Sequence, residues 1–203
     1  MSPDVERVPQ EQDPRDLRIG RIEVVGAKAA SFELVMHQFQ QASGARPSWT
    51  IRNLERANQT FGGWIRGRIP IEEIPAIVLP FHVGRCDRNS ELPQKIHLVP
   101  PSGLTVGEAH ARLSAMRETY RRLAPYCSAR ITRASEQALS APGTFFLSAG
   151  PLLTGSTYRG LTAFQGRMTH LDGLHRLLGL MDAEHPPDSI DAFVAVDPSA
   201  VES

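Results

Sequence analysis

The sequence predicts an α+β fold: one domain with a small mixed sheet and several helices, in irregular strand–helix alternation. Three observations predict it. The chain has 203 residues, enough for one hydrophobic core. Sixteen Pro and sixteen Gly cut it into short elements, so long helices are few. Segments with helical spacing and segments that alternate follow one another without the regular repeat of a doubly wound sheet. The domain is placed at residues 17–197, between polar tails at 1–16 and 198–203, and no internal repeat is present.

In chain order, Leu17–Val25 reads as a first strand, with Ile19, Ile22 and Val24 loosely in register. Ser31–Gln41 reads as a helix: Phe32, Val35, Met36 and Phe39 share a face, and Ser31 is placed to cap it. Pro47–Asn58 is a second, more polar helix. The segment Phe61–Arg68 (FGGWIRGR) lacks the residues of a phosphate loop or dinucleotide fingerprint and reads as a mobile loop or lid. Ile74–Val83 is an apolar strand that Pro75 and Pro80 confine to an edge or bulge. Lys95–Val99 alternates as another strand.

Thr105 and Glu108 form a T-x-x-E capping box, and Val106, Ala109, Leu113, Met116, Tyr120 and Leu123 make one apolar stripe behind it, ended by Pro125. His110, Arg117 and Arg121 mark the other side as a solvated face, with Glu118 and Arg122 spaced as an ion pair. Ala129–Thr132, Thr144–Ser148 and Arg167–Leu171 read as strands, Leu174–Met181 as a helix and Ile190–Val196 as the last strand.

Lys+Arg and Asp+Glu both number 22, so the net charge is zero and bulk attraction to nucleic acid or anionic membrane is excluded. Lys28 and Lys95 are the only lysines, leaving 20 arginines, an excess that a GC-rich genome explains without function. No apolar run approaches the ~20 residues of a membrane span, and 1–16 lacks the core of a signal peptide. A soluble, cytoplasmic protein is expected. Cys86 and Cys127 lack the spacing of a zinc knuckle or disulfide scaffold, and burial is expected for both. The seven histidines form no zinc-enzyme motif.

The most informative stretch is His170–Leu178 (HLDGLHRLL), in which a strand ends, Asp172-Gly173 turns the chain, and a helix opens with His175 and Arg176. Cations in a first turn oppose the helix dipole. An anion held by the free N–H groups, Gly173 and Arg176 would account for them. Asp172 is then either the helix cap or a general base, with His175 the other catalytic candidate. Alternatively, Asp172 only caps and the two cations decorate the surface. His82 follows an apolar strand and is a supporting catalytic candidate. Ser102, in Pro100–Gly103 before the capped helix, is a supporting anion donor. Arg66 and Arg68 cluster on the rim of the expected lid, a surface for an acidic partner.

The D-G-x-H-R pattern over about ten residues is similar to the ParB/sulfiredoxin-like fold, where it sits on nucleotide phosphates and supports phosphoryl transfer. With LPFH (79–82), HLVPPSGLTVGEA (97–109) and HLDGLHRLLG (170–179), the chain also resembles an actinobacterial biosynthetic family, the aziridine-forming proteins of azinomycin and vazabitide assembly. This resemblance spans roughly residues 75–180. It implies cofactor-independent closure of an aziridine by intramolecular amine displacement of sulfate. The substrate would be an amino acid on an amino-group carrier protein, with a smaller partner subunit in a heteromeric complex. Such chemistry needs a neutral amine, an anti arrangement of amine and sulfate, and donors for the departing sulfate. The helix N-terminus with Arg176 suits the last need, and Asp172 or a histidine the first. A noncatalytic subunit, docking through apolar surface such as Ile74–Phe81, is the reading from a third class.

Overall fold

The structure, a computed structural model, describes residues 15–41, 48–81, 96–152, 158 and 160–199. Its centre is an eight-stranded mixed sheet among the described residues, and the α+β expectation holds. The strands are β1 (Arg15–Ile19), β2 (Ile22–Ala30), β3 (Gly63–Pro70), β4 (Val78–Leu79), β5 (Leu104–Thr105), β6 (Phe145–Ser148), β7 (Thr169–Asp172) and β8 (Ser189–Val196). They lie in the order β1-β2-β3-β8-β6-β7-β4-β5. β6 runs parallel to β8 and β4 to β7; the other neighbours are antiparallel. The helices are α1 (Phe32–Gln41), α2 (Ser48–Phe61), α3 (Val106–Ala115), α4 (Arg117–Leu123), α5 (Pro125–Glu136) and α6 (Leu174–Asp182).

Two-residue alternation buries both faces of the central strands. On β8, Ile190, Ala192, Val194 and Val196 pack with α3–α6, while Phe193 and Ala195 pack with α1 and α2. On β6, Phe145 and Leu147 face the first layer and Phe146 the second. The continuous apolar runs of these strands reflect that double burial.

Several expectations are corrected. Leu17–Val25 is a hairpin, not one strand: Gly20, at φ +62°, turns the chain between β1 and β2. Arg15 and Asp16, assigned to a tail, belong to β1. FGGWIRGR is no lid. From Gly63 on it forms β3, paired with β8 from Gly63↔Val196 to Pro70↔Ser189, while Phe61 ends α2. Arg66 and Arg68 alternate with buried Ile65 and Ile69, and so stand exposed on the opposite face. Among the described residues of the apolar 74–83 segment, 74–81, only Val78–Leu79 is strand, because Ile71–Ala76 winds into a 3-10 turn containing Pro75. Ile96–Val99 is buried but unpaired in the sheet.

The capping box is present as expected: the Glu108 N–H donates to Thr105 Oγ1 at 3.2 Å and the Thr105 N–H to Glu108 Oε2 at 2.7 Å. The helix behind it breaks at Met116 into α3 and α4. Pro125 then opens α5 at a position where its missing N–H costs nothing. Ala129–Thr132 is therefore helical, and its burial signal is the four-residue spacing of Cys127 and Ile131. Cys127 is buried as expected, yet it is disulfide-bonded. The chain's other cysteine, Cys86, lies outside the described residues. α1, α2, β6, α6 and β8 lie within a few residues of their predicted positions, and the Leu34 N–H donates to the Ser31 cap.

Candidate functional site

The site is built where β7 hands over to α6. The β6–β7 register slips between Leu147↔His170 and Phe146↔Asp172, so Leu171 and Asp172 together oppose Phe146. Such a bulge re-aims a side chain, and here it lies at Asp172. Gly173 follows at φ +107° and is itself the N-cap of α6; its carbonyl accepts the N–H groups of Arg176 and Leu177, both at 2.9 Å. Asp172 is thus not the cap, one of the two roles expected for it.

Asp172 instead takes Arg176. Arg176 Nη2 donates to Asp172 Oδ2 at 3.4 Å and Nη1 to the Pro142 carbonyl at 3.3 Å. The guanidinium lies 4.5 Å from the centroid of the Phe145 ring, a cation–π contact. Two glycines leave room for it: a Cβ on Gly143 would come within 2.5 Å of Nη1 and one on Gly173 within 3.1 Å of Nη2. Asp172, well placed at the positive end of α6, therefore offsets much of the dipole penalty on Arg176. The structure accounts for Arg176 without requiring an anion, though not as surface decoration, since it binds Asp172 and the Pro142 carbonyl and rests on Phe145. On the α1–α2 side, the buried Tyr158 hydroxyl donates to the His170 carbonyl at 3.1 Å. Burial, then the charge of Asp172, push its pKa up, so Tyr158 is a neutral donor at working pH.

His175 and Arg176 do share a cavity, of about 170 Å³, between α6 and α5. Its facing wall brings Arg130, Arg133 and Gln137, and among the described residues no acidic side chain lines it. The space is on the scale of one six-membered ring. Of its lining groups, three are permanent guanidinium cations, and His175 is the one whose ring nitrogens can both donate and accept a proton. Chemically, such a cavity can hold a compact oxyanion and receive one proton.

Other candidates lie apart. Ser102 is exposed, in the turn before β5; it does not line the cavity, and β5 is two strands from β7, about 10 Å at normal strand spacing. His82 lies outside the described residues. Arg130 and Arg133 were missed because a strand was expected at 129–132, and because Arg excess was assigned to composition. Their signal is the helical spacing Tyr126, Arg130, Arg133, Gln137. His110 and Arg117, expected on a solvated face, both bind Asp182 at the end of α6: His110 Nε2 at 2.8 Å, Arg117 Nη1 and Nη2 at 3.0 and 2.9 Å. Glu118 pairs with Arg121, not Arg122, at 2.8 Å.

Among the described residues no group of three or more His, Cys, Asp or Glu side chains could hold a metal ion, and no helix is long and apolar enough to cross a membrane. Comparison with curated proteins and with solved structures finds no match. A family model matches residues 28–203, nearly the whole domain, and on that match the chain belongs to DUF6309, a family of unknown function.

Proposed function

We propose that this protein is an enzyme that binds a compact sulfate or phosphate ester in the α5–α6 cavity. The observation that carries this reading is the convergence of Arg130, Arg133, His175 and Arg176 on one small space, free of acidic lining among the described residues. The reaction proposed is the one the resemblance implies: an amine attacks the carbon bearing the O-sulfate, the C–N bond forms, and the C–O bond breaks with its electron pair leaving on sulfate. Arg176 stabilises charge growing on the leaving group. His175 receives the ammonium proton. Asp172 acts as the positioning residue that orients the Arg176 fork.

The natural setting proposed is natural-product assembly in the cytoplasm, with an amino-group carrier protein and a smaller partner subunit. Exposed Arg66 and Arg68 are the surface proposed for an acidic partner. The cytoplasmic part has its own test, since disulfides are rare there: reductant should leave the protein folded although Cys127 is disulfide-bonded.

The cavity's volume favours a compact ester over the nucleotide of a ParB/sulfiredoxin-like protein, because pockets for larger ligands run to roughly 300–1,000 Å³. The test incubates the protein, with co-purified partners, with a vicinal amino-sulfate. Release of free sulfate that falls at least ~100-fold in Arg176→Ala supports the reading. Stabilisation by ATP or CTP with Mg²⁺, without sulfate release, would replace it with the nucleotide reading. Full turnover in an intact complex carrying Arg176→Ala would make the chain a noncatalytic subunit.

A further inference from the structure

The cavity between α5 and α6 carries cations on two walls, which is more than one oxyanion needs. His175 and Arg176 open α6 on one side; Arg130 and Arg133 stand one turn apart on α5 on the other. An Arg fork satisfies one sulfate or phosphate face in two-point fashion. Asp172 answers part of the charge of Arg176, but among the described residues no acidic side chain lines the cavity opposite Arg130 and Arg133. Arg130 also lies over the exposed Tyr126 ring, 5.7 Å from its centroid, which restrains it at the rim. Ala138 and Leu180 add an apolar lining suited to a short carbon chain between two charged ends.

We propose that the site is bipartite: the α6 wall holds the sulfate or phosphate of the ester, and Arg130 and Arg133 hold a carboxylate on the same ligand. The ligand class is a short O-sulfated or O-phosphorylated amino or hydroxy acid whose carboxylate is free. This rests on the anion-site reading above and adds the second charge to it.

Two probes differing only in that carboxylate test it: serine O-sulfate and ethanolamine O-sulfate, titrated calorimetrically into the full chain. Serine O-sulfate is expected to bind at least ~10-fold more tightly, the range of a charge-assisted contact. In the Arg130→Ala/Arg133→Ala protein the preference should shrink to about twofold or less, with ethanolamine O-sulfate affinity nearly unchanged. Both residues are exposed, so the variant is expected to keep its fold, checked by circular dichroism. Equal affinities in the unaltered protein, or a preference that survives the double substitution, overturn the bipartite site. If neither probe binds at millimolar concentration, the anion-site reading itself falls and takes the proposal with it.

Discussion

At the scale of single residues, Arg176 shows how one side chain serves structure and site together. Its fork reaches Asp172 and the Pro142 carbonyl while its flat face rests on Phe145. Lysine keeps the charge but not the fork or the stacking. Arg176→Lys should therefore weaken sulfate-ester binding by about tenfold and lower stability by about 1 kcal/mol, read by calorimetry and urea unfolding. Asp182 carries a pH dependence of its own. Burial raises its pKa, but hydrogen bonds and charge from Arg117 and His110 outweigh burial and hold it below the usual carboxylate value. A lowered folded-state pKa means stabilisation that is present above the ordinary value of 3.8 and lost as pH falls through the folded one. Asp182→Asn should cost about 1 kcal/mol near neutrality, after allowing for screening at the exposed Arg117. Its deficit should vanish toward pH 2, measured by chemical unfolding across pH.

At the scale of elements, the site depends on how closely α6 crosses α5. Gly179 makes that crossing: a Cβ there would lie 2.6 Å from Ala134 Cβ, 2.8 Å from the Ser135 nitrogen and 2.9 Å from the Ala134 carbonyl carbon. Two of those three atoms are backbone, so no rotamer change relieves the contact. Gly179→Ala should destabilise by about 1–3 kcal/mol despite the better helix propensity of Ala, and widen the α5–α6 cavity. The double variant Gly179→Ala/Ala134→Gly should recover little of that loss. A full recovery of the thermal midpoint would show that the helices adjust by side chains alone.

At the scale of the whole molecule, net charge zero and the local cluster of four basic groups make one joint prediction. Sulfate binding should stabilise the native state by mass action, about 2.7 kcal/mol at a hundredfold excess over Kd, whereas duplex DNA should give no shift at 0.15 M salt. Charge reversal of both Arg66 and Arg68 should leave this stabilisation intact, because they stand exposed on β3, on the opposite face from Ile65, and neither lines the α5–α6 cavity. A loss of sulfate stabilisation in that variant would mean that the two faces are not independent.

Local rules in the sequence determined much: the Ser31 and Thr105 caps, the apolar faces of α1 and α3, the strands β6 and β8, and the Asp172-Gly173 turn that opens α6. Each depends on neighbours a few residues apart, and side-chain spacing records such contacts directly. What only the tertiary structure decided depends on residues far apart in the chain. Phe61–Arg68 looked like a loop because glycines weaken a strand, yet β8 pairs with β3 along its length. Arg130 and Arg133 became part of a site only when α5 packed beside α6, and Arg176 gained the Pro142 carbonyl and the Phe145 ring only when the upstream segment 142–145 folded against α6. Periodicity reports which face of an element is buried. It carries no record of which other element covers that face, and the cavity exists only between the two.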